Sequence, residues 1–261
     1  MSEPLRIALV AEGETDKAVV GAAITALVGD RSYVLRLLQP EDSLALGPVA
    51  PFTGLKSGGW GGVYHWCHGV VQRSGQLRDD ALFLAYDILI MHLDADVAGK
   101  QYSDYRIIDP VNDLPCEEPC PPPSATTDNL RKILLRWCGE TTVPPQTVLC
   151  TPSKSTETWV VAALFPQDPE VTNTEKCWEC HPDPATRLAQ QPKDERIKKT
   201  KAHYLDAQPK MTAAWDRLRN ELSEAGRFSE DFWRAVFLYE LAGGQRPAAF
   251  TATFSPPEML P

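Results

Sequence analysis

Acidic side chains stand directly after two apolar runs of this chain, which span residues 5–11 and 88–93. The acids are Glu12 and Asp16 after the first run, and Asp94 and Asp96 after the second. Carboxylates that share a site repel one another unless a divalent cation neutralises them, and Mg²⁺ and Mn²⁺ accept such oxygen ligands. The pattern therefore predicts a Mg²⁺ or Mn²⁺ site that serves phosphate chemistry.

The chemistry of each carboxylate indicates its role in this predicted catalytic site. Asp94 and Asp96 are the expected metal ligands, because side chains two residues apart at a strand end point to the same side. Glu12 reaches further, and we expect it either to join the metal ligands or to act as general acid or base in phosphodiester cleavage. Gly13 and Asp16 have supporting roles in the turn that follows.

The two acidic motifs resemble the signature of the TOPRIM domain, the metal-dependent fold of primases, type II topoisomerases and OLD-type nucleases. The first motif is Glu-Gly-x-Thr-Asp at residues 12–16, and the second is Asp-x-Asp at residues 94–96, followed by Gly99. The resemblance covers residues 5–165 and is greatest to the nuclease branch and to small stand-alone TOPRIM proteins of bacterial phage defence. It implies that Glu12 is the acid/base and that Asp94 and Asp96 bind Mg²⁺. It also implies defence against mobile elements, with a partner ATPase or another defence-system protein.

Two further candidates follow a predicted strand over residues 147–151. Glu157 stands at the start of a predicted helix over 158–164. Additional acidic residues hold a second metal in OLD-like nucleases, so Glu157 is a candidate metal ligand. The alternative is a glutamate stabilised by the dipole of its own helix. Lys154 is a supporting candidate that stabilises charge on a transferring phosphoryl group.

A glycine-rich stretch precedes a predicted helix over residues 63–73. Free backbone N–H groups at a helix N-terminus bind phosphate, so this stretch is a candidate phosphate site. Its members are Lys56, Gly58, Gly59 and Gly61. The order of residues is not that of a Walker A loop. The alternative is a flexible connection in which Trp60 is a hydrophobic plug, and a third role for Trp60 is stacking on a base.

Seven cysteines in a chain without a predicted export signal favour reduced thiols and a cytoplasmic location. The string at residues 177–181, Cys-Trp-Glu-Cys-His, matches a c-type haem attachment site, but haem is rejected because no export signal accompanies it. Zinc is an alternative, with four thiolates as its ligands. The four cysteines are Cys116, Cys120, Cys177 and Cys180.

The histidines receive no functional role from the sequence. His92 lies inside an apolar strand, and we expect it to be a core residue whose hydrogen bonds are satisfied. The short cluster of His65, Cys67 and His68 has no evident partner, so packing is the expected role.

The net charge of −9 argues against a protein that coats DNA without specificity, because such affinity comes from Lys and Arg. It is compatible with a nuclease that approaches nucleic acid through a local basic face. One run of lysine and arginine residues could form such a face, and the alternative is that the run is an ordinary solvated surface. Its members are Lys193, Arg196, Lys198, Lys199 and Lys201.

Alternating strand and helix patterns in the first half predict an α/β fold: an open, mostly parallel, TOPRIM-like sheet flanked by helices. The expected strands span 5–11, 32–38, 88–93 and 147–151. A core over residues 1–165 would include a Pro-rich loop at 97–123 without regular structure. Residues 166–261 would form a polar linker and a C-terminal helical subdomain, with helices over 211–224 and 230–241. No apolar run is long enough to span a membrane.

These expectations together indicate a cytoplasmic, metal-dependent nuclease that cleaves nucleic-acid phosphodiesters. Two alternatives belong to other classes. One is a regulatory protein that keeps the fold and binds metal or nucleotide without turnover. The other is a phosphoryl-transfer enzyme that acts on small nucleotides, with the glycine cluster as its phosphate cradle.

Overall fold

A computed structural model of the protein describes residues 3–40, 58–108 and 111–243. In these ranges four strands form one parallel sheet in the order β2-β1-β3-β4. The strands are β1 Leu5–Val10, β2 Tyr33–Gln39, β3 Ile88–His92 and β4 Thr147–Cys150. All residues of β3 and β4 are buried, which is why these strands read as continuous apolar runs rather than alternating ones.

Eight α-helices accompany the sheet within the described ranges. They are α1 Glu14–Val28, α2 Trp60–Ser74, α3 Leu82–Ala85, α4 Ser124–Trp137, α5 Glu157–Leu164, α6 Pro184–Ala189, α7 Lys201–Glu221 and α8 Ser223–Leu241. None of them combines the length and the apolar composition needed to cross a bilayer.

Helices cover both faces of the sheet. On one face, side chains of β1 and β3 share an apolar core with α1, α5, α7 and α8. On the other face, the alternate side chains of the same strands pack against α2 and α4. Because successive strand residues point to opposite faces, each central strand supplies both cores. The predicted α/β class with a parallel sheet and flanking helices is confirmed.

The order of the strands creates one point, between the two central strands, at which the direction of winding changes. The chain moves from β1 outward to β2 on one side, and from β3 outward to β4 on the other. Strands β1 and β3 are therefore neighbours where the direction of winding reverses. In open α/β sheets, ligands bind outside the carboxyl ends of the strands at such a point. Glu12 follows β1 and Asp94 follows β3, so both stand at this position.

The four strands and the helices predicted over 63–73 and 158–164 agree with the structure to within a few residues, but the C-terminal helices do not. Helix α7 begins at Lys201 instead of residue 211, and α8 begins at Ser223 instead of residue 230. Pro209 lacks the N–H that a helix interior needs and normally marks a boundary. Here Gln208 Nε2 donates to the Ala18 carbonyl at 2.8 Å, and Thr212 Oγ1 donates to the Ala22 carbonyl at 3.1 Å. Packing on α1 thus holds the helix together across the proline.

The Pro-rich segment after β3 is largely irregular, as predicted. Its described part contains two short 3₁₀ turns, Ala95–Gly99 and Tyr102–Tyr105, before α4 begins. Residues 109–110 lie outside the described ranges.

A disulfide joins this segment to the region after α5. It links Cys120 to Cys180, while Cys116 and Cys177 are free thiols. The prediction of reduced thiols is therefore wrong for this pair. The four cysteines also do not converge as a zinc site, because two of their sulfurs are bonded to each other.

We expect Cys120→Ser to lower the free energy of unfolding by about 2–4 kcal/mol, because the cross-link closes a long loop and restricts the unfolded chain. The two cysteines are 60 residues apart. Urea denaturation without reductant, followed by tryptophan fluorescence, measures the change. Cys177→Ser is the matched control, since it removes a free thiol and keeps the disulfide. Equal stability of Cys120→Ser and the wild type would contradict a disulfide in the native protein.

Candidate metal centre

Two carboxylates and an imidazole converge where β1 and β3 end. Glu12 stands two residues after β1, His92 is the last residue of β3, and Asp94 stands two residues further on. One ligand atom from each of the three lies within 4.8 Å of the other two. Two donors bonded at about 2.1 Å to one divalent ion lie at most about 4.2 Å apart, so small side-chain rotations bring this spacing within reach of one ion, and nitrogen with carboxylate oxygen is a donor set that divalent ions accept. The three residues thus fit a metal ion.

Hydrogen bonds fix the two carboxylates relative to each other. The backbone N–H of Asp94 donates to Glu12 Oε1 at 2.9 Å, which ties the turn after β3 to the turn after β1. Asp94 Oδ1 accepts a hydrogen bond from the backbone N–H of Thr156 at 3.0 Å. Thr156 directly precedes α5. The carboxylate of Asp94 therefore also satisfies one of the free N–H groups at a helix start.

Asp16 occupies the other side of the imidazole, in the first turn of α1. Its Oδ2 accepts a hydrogen bond from the Gly13 N–H at 2.8 Å, and its Oδ1 accepts one from Thr156 Oγ1 at 3.0 Å. His92 Nδ1 lies 3.9 Å from Asp16 Oδ2, and Nε2 lies 3.2 Å from Asp94 Oδ1. The structure thus places Gly13 and Asp16, the predicted supporting residues, directly around the cluster.

Burial and mutual charge shift the pKa values of these groups. Burial, and then the negative charge of Asp94, raises the pKa of Glu12 well above its usual range. Burial raises the pKa of Asp94 to about 7, although His92 opposes the shift. Burial alone lowers the pKa of His92, but the charges of Asp16 and Asp94 outweigh burial and raise it to about 9. The metal-free cluster therefore holds its protons tightly.

Asp96 does not join this cluster, contrary to the expectation of an aspartate pair. Its side chain is half-exposed and lies 3.5 Å from Lys100 Nζ. The chain leaves the extended conformation after Asp94 and enters the 3₁₀ turn Ala95–Gly99. Residues two apart share a face only in a strand, so the turn removes the alternation on which the expectation depended.

Glu157 is neutralised by an ion pair. It is buried at the start of α5, where Lys199 Nζ lies 2.8 Å from Oε1 and Tyr204 Oη donates to Oε1 at 2.9 Å. Burial alone raises the pKa of Glu157, but Lys199 outweighs it and lowers the pKa. Glu157 is thus outside the three-residue cluster. Its second-metal role stays a prediction.

Lys154 and the glycine stretch have structural roles in the described residues. Lys154 Nζ pairs with Glu117 of the Pro-rich segment. A Cβ at Gly61 would collide with the ring of Tyr105, and one at Gly59 would collide with the hydroxyl of the same side chain, which accounts for glycine at both positions.

The start of α2 is closed by aromatic side chains. Trp60 is buried and makes an edge-to-face contact with Tyr105 at a centroid distance of 4.8 Å, as expected for a hydrophobic plug, while base stacking by Trp60 stays a prediction. Gly58 lies next to the site, since a Cβ there would contact the Glu12 carbonyl at 3.6 Å. Lys56 lies outside the described residues, and phosphate binding by this stretch stays a prediction.

The sequence did not indicate the roles of two residues of the site, His92 and Lys199. His92 was expected to be a satisfied core residue, yet within the described structure neither ring nitrogen makes a hydrogen bond of acceptable geometry. Its spacing of two residues from Asp94 was the available signal, because both side chains then lie on one face of the sheet. Lys199 carried no comparable signal, since only the path of the C-terminal segment brings it to Glu157.

We expect the metal-free protein to lose stability as the pH rises from about 4 to about 9. The raised pKa values of Asp94 and His92 mean that the folded state binds more protons than the unfolded chain across this window, so the free energy of unfolding falls with pH. Urea denaturation in EDTA at pH 6 and pH 9 measures the difference. We expect this difference to shrink in Asp94→Asn, which also removes one of the charges that raise the pKa of His92.

Asp216→Asn is the matched control for this measurement. Asp216 is an exposed carboxylate on α7 that pairs with Arg219, away from the cluster. Its substitution is expected to leave the difference between pH 6 and pH 9 unchanged. The same difference in all three proteins would show that Asp94 and His92 do not carry the pH dependence.

Comparisons of the chain with models of known protein families, with curated proteins and with solved structures find no match. The resemblance to the TOPRIM family therefore stays a prediction from two short motifs. Glu12, His92 and Asp94, with the charged groups around them, are the features of the molecule that indicate a function.

Proposed function

We propose that this protein is a metal-dependent nuclease that hydrolyses phosphodiester bonds of nucleic acid. The observation that carries the proposal is the convergence of Glu12, His92 and Asp94 at the carboxyl ends of β1 and β3, with one ligand atom of each within 4.8 Å of the others. This is the position at which open parallel sheets bind ligands. The two acidic motifs of the sequence agree with the same activity.

The division of labour follows from the surroundings of each side chain. A bound divalent ion would lower the pKa of a water ligand and stabilise charge on the scissile phosphate. Asp94 is buried and fixed by Thr156, so it is suited to hold the ion in one place. Glu12 is only half-buried, and its pKa is raised by burial and by Asp94. Glu12 is therefore the carboxyl group best suited to exchange a proton with a reacting oxygen.

Positive charge lies beside the acidic cluster. Lys199 Nζ lies 2.8 Å from Glu157, and Lys201 Nζ lies 2.9 Å from Oε2 of Glu14 at the start of α1. Burial lowers the pKa of Lys199, but the charge of Glu157, with smaller contributions from Asp94 and Asp16, raises it. Two members of the basic run, Lys199 and Lys201, therefore border the candidate site.

This placement bears on how an acidic protein would approach nucleic acid. A net charge of −9 repels a polyanion at long range, but cations beside a metal site can exchange their carboxylate partners for the phosphate that reacts. Lys199 and Lys201 thus support an anionic phosphate substrate.

Glu12→Gln is expected to lower the cleavage rate by at least about 100-fold, the size of effect typical of a general acid or base. A loss of at least the same size is expected for Asp94→Asn, because it weakens binding of the ion that activates water. Plasmid DNA, single-stranded DNA and RNA, each incubated with Mn²⁺, Mg²⁺ or EDTA, form the assay. Asp96→Asn is the matched control, because Asp96 faces Lys100 outside the cluster. Its activity is expected to stay within a few-fold of the wild type.

The outcomes separate three possibilities. Loss in Asp96→Asn equal to that in Asp94→Asn would restore the aspartate pair expected from the sequence. Cleavage that persists in EDTA, or in both Glu12→Gln and Asp94→Asn, would refute the proposed site. Circular dichroism of each variant establishes that the fold is retained.

Lys199→Gln is expected to weaken nucleic-acid binding several-fold and to reduce the salt dependence of binding by about one ion, as for the loss of one phosphate contact. Glutamine can still donate a hydrogen bond to the buried Glu157. Binding of fluorescent oligonucleotides in EDTA across a salt series measures both quantities. Lys176→Gln is the control, because Lys176 pairs with Glu170 instead. The same salt dependence of binding for the two variants would show that Lys199 does not contact the bound nucleic acid.

A further inference from the structure

We infer that His92 is itself a ligand of the metal ion, and that the site therefore prefers a divalent transition ion to Mg²⁺. The catalytic importance of this ion rests on the proposed function. Ligation by His92, however, can be measured without any substrate.

The first support is the state of the imidazole. His92 is fully buried, and within the described residues both ring nitrogens lack a hydrogen bond of acceptable geometry. Buried polar atoms in native proteins nearly always have a partner, so an exception needs an explanation. The nitrogen atoms do not face an apolar wall: Nε2 lies 3.2 Å from Asp94 Oδ1. This contact is a charge contact without hydrogen-bond geometry, and a metal ion on Nε2 would give the nitrogen a directed bond.

The second support is the distance between the two donors. Two ligands bonded at about 2.1 Å to one ion, with a bond angle between tetrahedral and octahedral values, lie about 3.0–3.4 Å apart. The separation of His92 Nε2 and Asp94 Oδ1 is 3.2 Å, inside that interval. Glu12 supplies a third donor, with one ligand atom of each of the three residues within 4.8 Å of the others. The imidazole and the carboxylate of Asp94 are therefore already at the separation expected for two ligands of one ion.

The third support is the group on the far side of the ring. Histidines that bind a metal through one nitrogen usually turn the other toward a carboxylate or a carbonyl, which fixes the orientation of the ring. Asp16 Oδ2 lies 3.9 Å from Nδ1. Asp16 is itself held by the Gly13 N–H and by Thr156 Oγ1. The imidazole thus has an anchored carboxylate behind it and the two other donors in front.

The composition of the donor set determines which ion is preferred. Mg²⁺ takes oxygen ligands and keeps several waters, whereas imidazole nitrogen is a good ligand for later divalent transition ions. A site of one imidazole and two carboxylates therefore gains affinity for Co²⁺ or Zn²⁺ from His92. It gains little for Mg²⁺ from the same residue. This difference makes His92 testable by selectivity.

The test compares Co²⁺ and Mg²⁺ binding to the metal-free full chain by titration calorimetry. Wild type is expected to bind Co²⁺ at least tenfold more tightly than Mg²⁺. His92→Asn is expected to lose at least tenfold in Co²⁺ affinity while its Mg²⁺ affinity changes less than threefold. His65→Asn is the matched control, because it removes a histidine that lies outside the cluster, and its Co²⁺ affinity is expected to equal that of the wild type. An equal loss for both ions in His92→Asn would show a structural role and overturn the inference.

A second measurement on the wild type covers the case in which His92→Asn does not fold. Pulsed electron paramagnetic resonance of bound Mn²⁺ detects a directly coordinated nitrogen, and labelling with ¹⁵N-histidine identifies it as imidazole. Coupling that changes with the label, and that persists in His65→Asn, supports ligation by His92. Bound Mn²⁺ without nitrogen coupling, or no bound Mn²⁺, overturns it.

The nuclease proposal and the ligation of metal by His92 can be refuted independently of each other. Nitrogen coordination without cleavage of any nucleic acid would leave the metal site in place and refute the nuclease. Metal-dependent cleavage without nitrogen coordination would leave the nuclease in place and refute His92 as a ligand.

Discussion

The turns that follow β1, β3 and β4 are held together by hydrogen bonds that meet at Asp94. Its N–H binds Glu12 after β1, and its carboxylate accepts the N–H of Thr156, which stands between β4 and α5. Thr156 in turn binds Asp16 of α1. Each bond is buried or partly buried, so breaking one leaves a polar group without water to replace its partner. Loops that would otherwise move independently are thereby fixed around one point.

The sheet supplies the rigid base for this network, and the C-terminal segment completes it. Strands β1 and β3 are covered by helices on both faces, so the carboxyl ends of the two strands have little freedom to move. Helix α7 packs on α1 and α5 and carries Tyr204, whose hydroxyl binds Glu157. The segment just before α7 brings Lys199 to the same carboxylate. One side of the candidate site therefore comes from residues remote in the chain.

The sequence predicts those parts of the protein that depend on local patterns. Buried parallel strands are continuous apolar runs, and acids at their carboxyl ends must meet at one edge of the sheet, so the positions of Glu12 and Asp94 could be predicted. The position of Asp96 could not be predicted, because a 3₁₀ turn replaces the strand directly after Asp94. Helix α7 across Pro209 depends on packing that overrides local preference. The pairing of Cys120 with Cys180 and of Lys199 with Glu157 depends on the path of the chain, which no local pattern records.

The position of His92 has a consequence for the charge of the site. Without a metal, three carboxylates, Glu12, Asp16 and Asp94, surround one buried imidazole, and their negative charge holds a proton on it. A divalent ion that binds Nε2 must displace this proton, so the site gains less positive charge than a site made of ionised carboxylates alone. The imidazolium balances the acids in the metal-free protein, and the ion takes over this role when it binds. A protonated imidazole allows the carboxylates to remain buried and close together while the protein folds. It can then lose its proton and bind a metal ion.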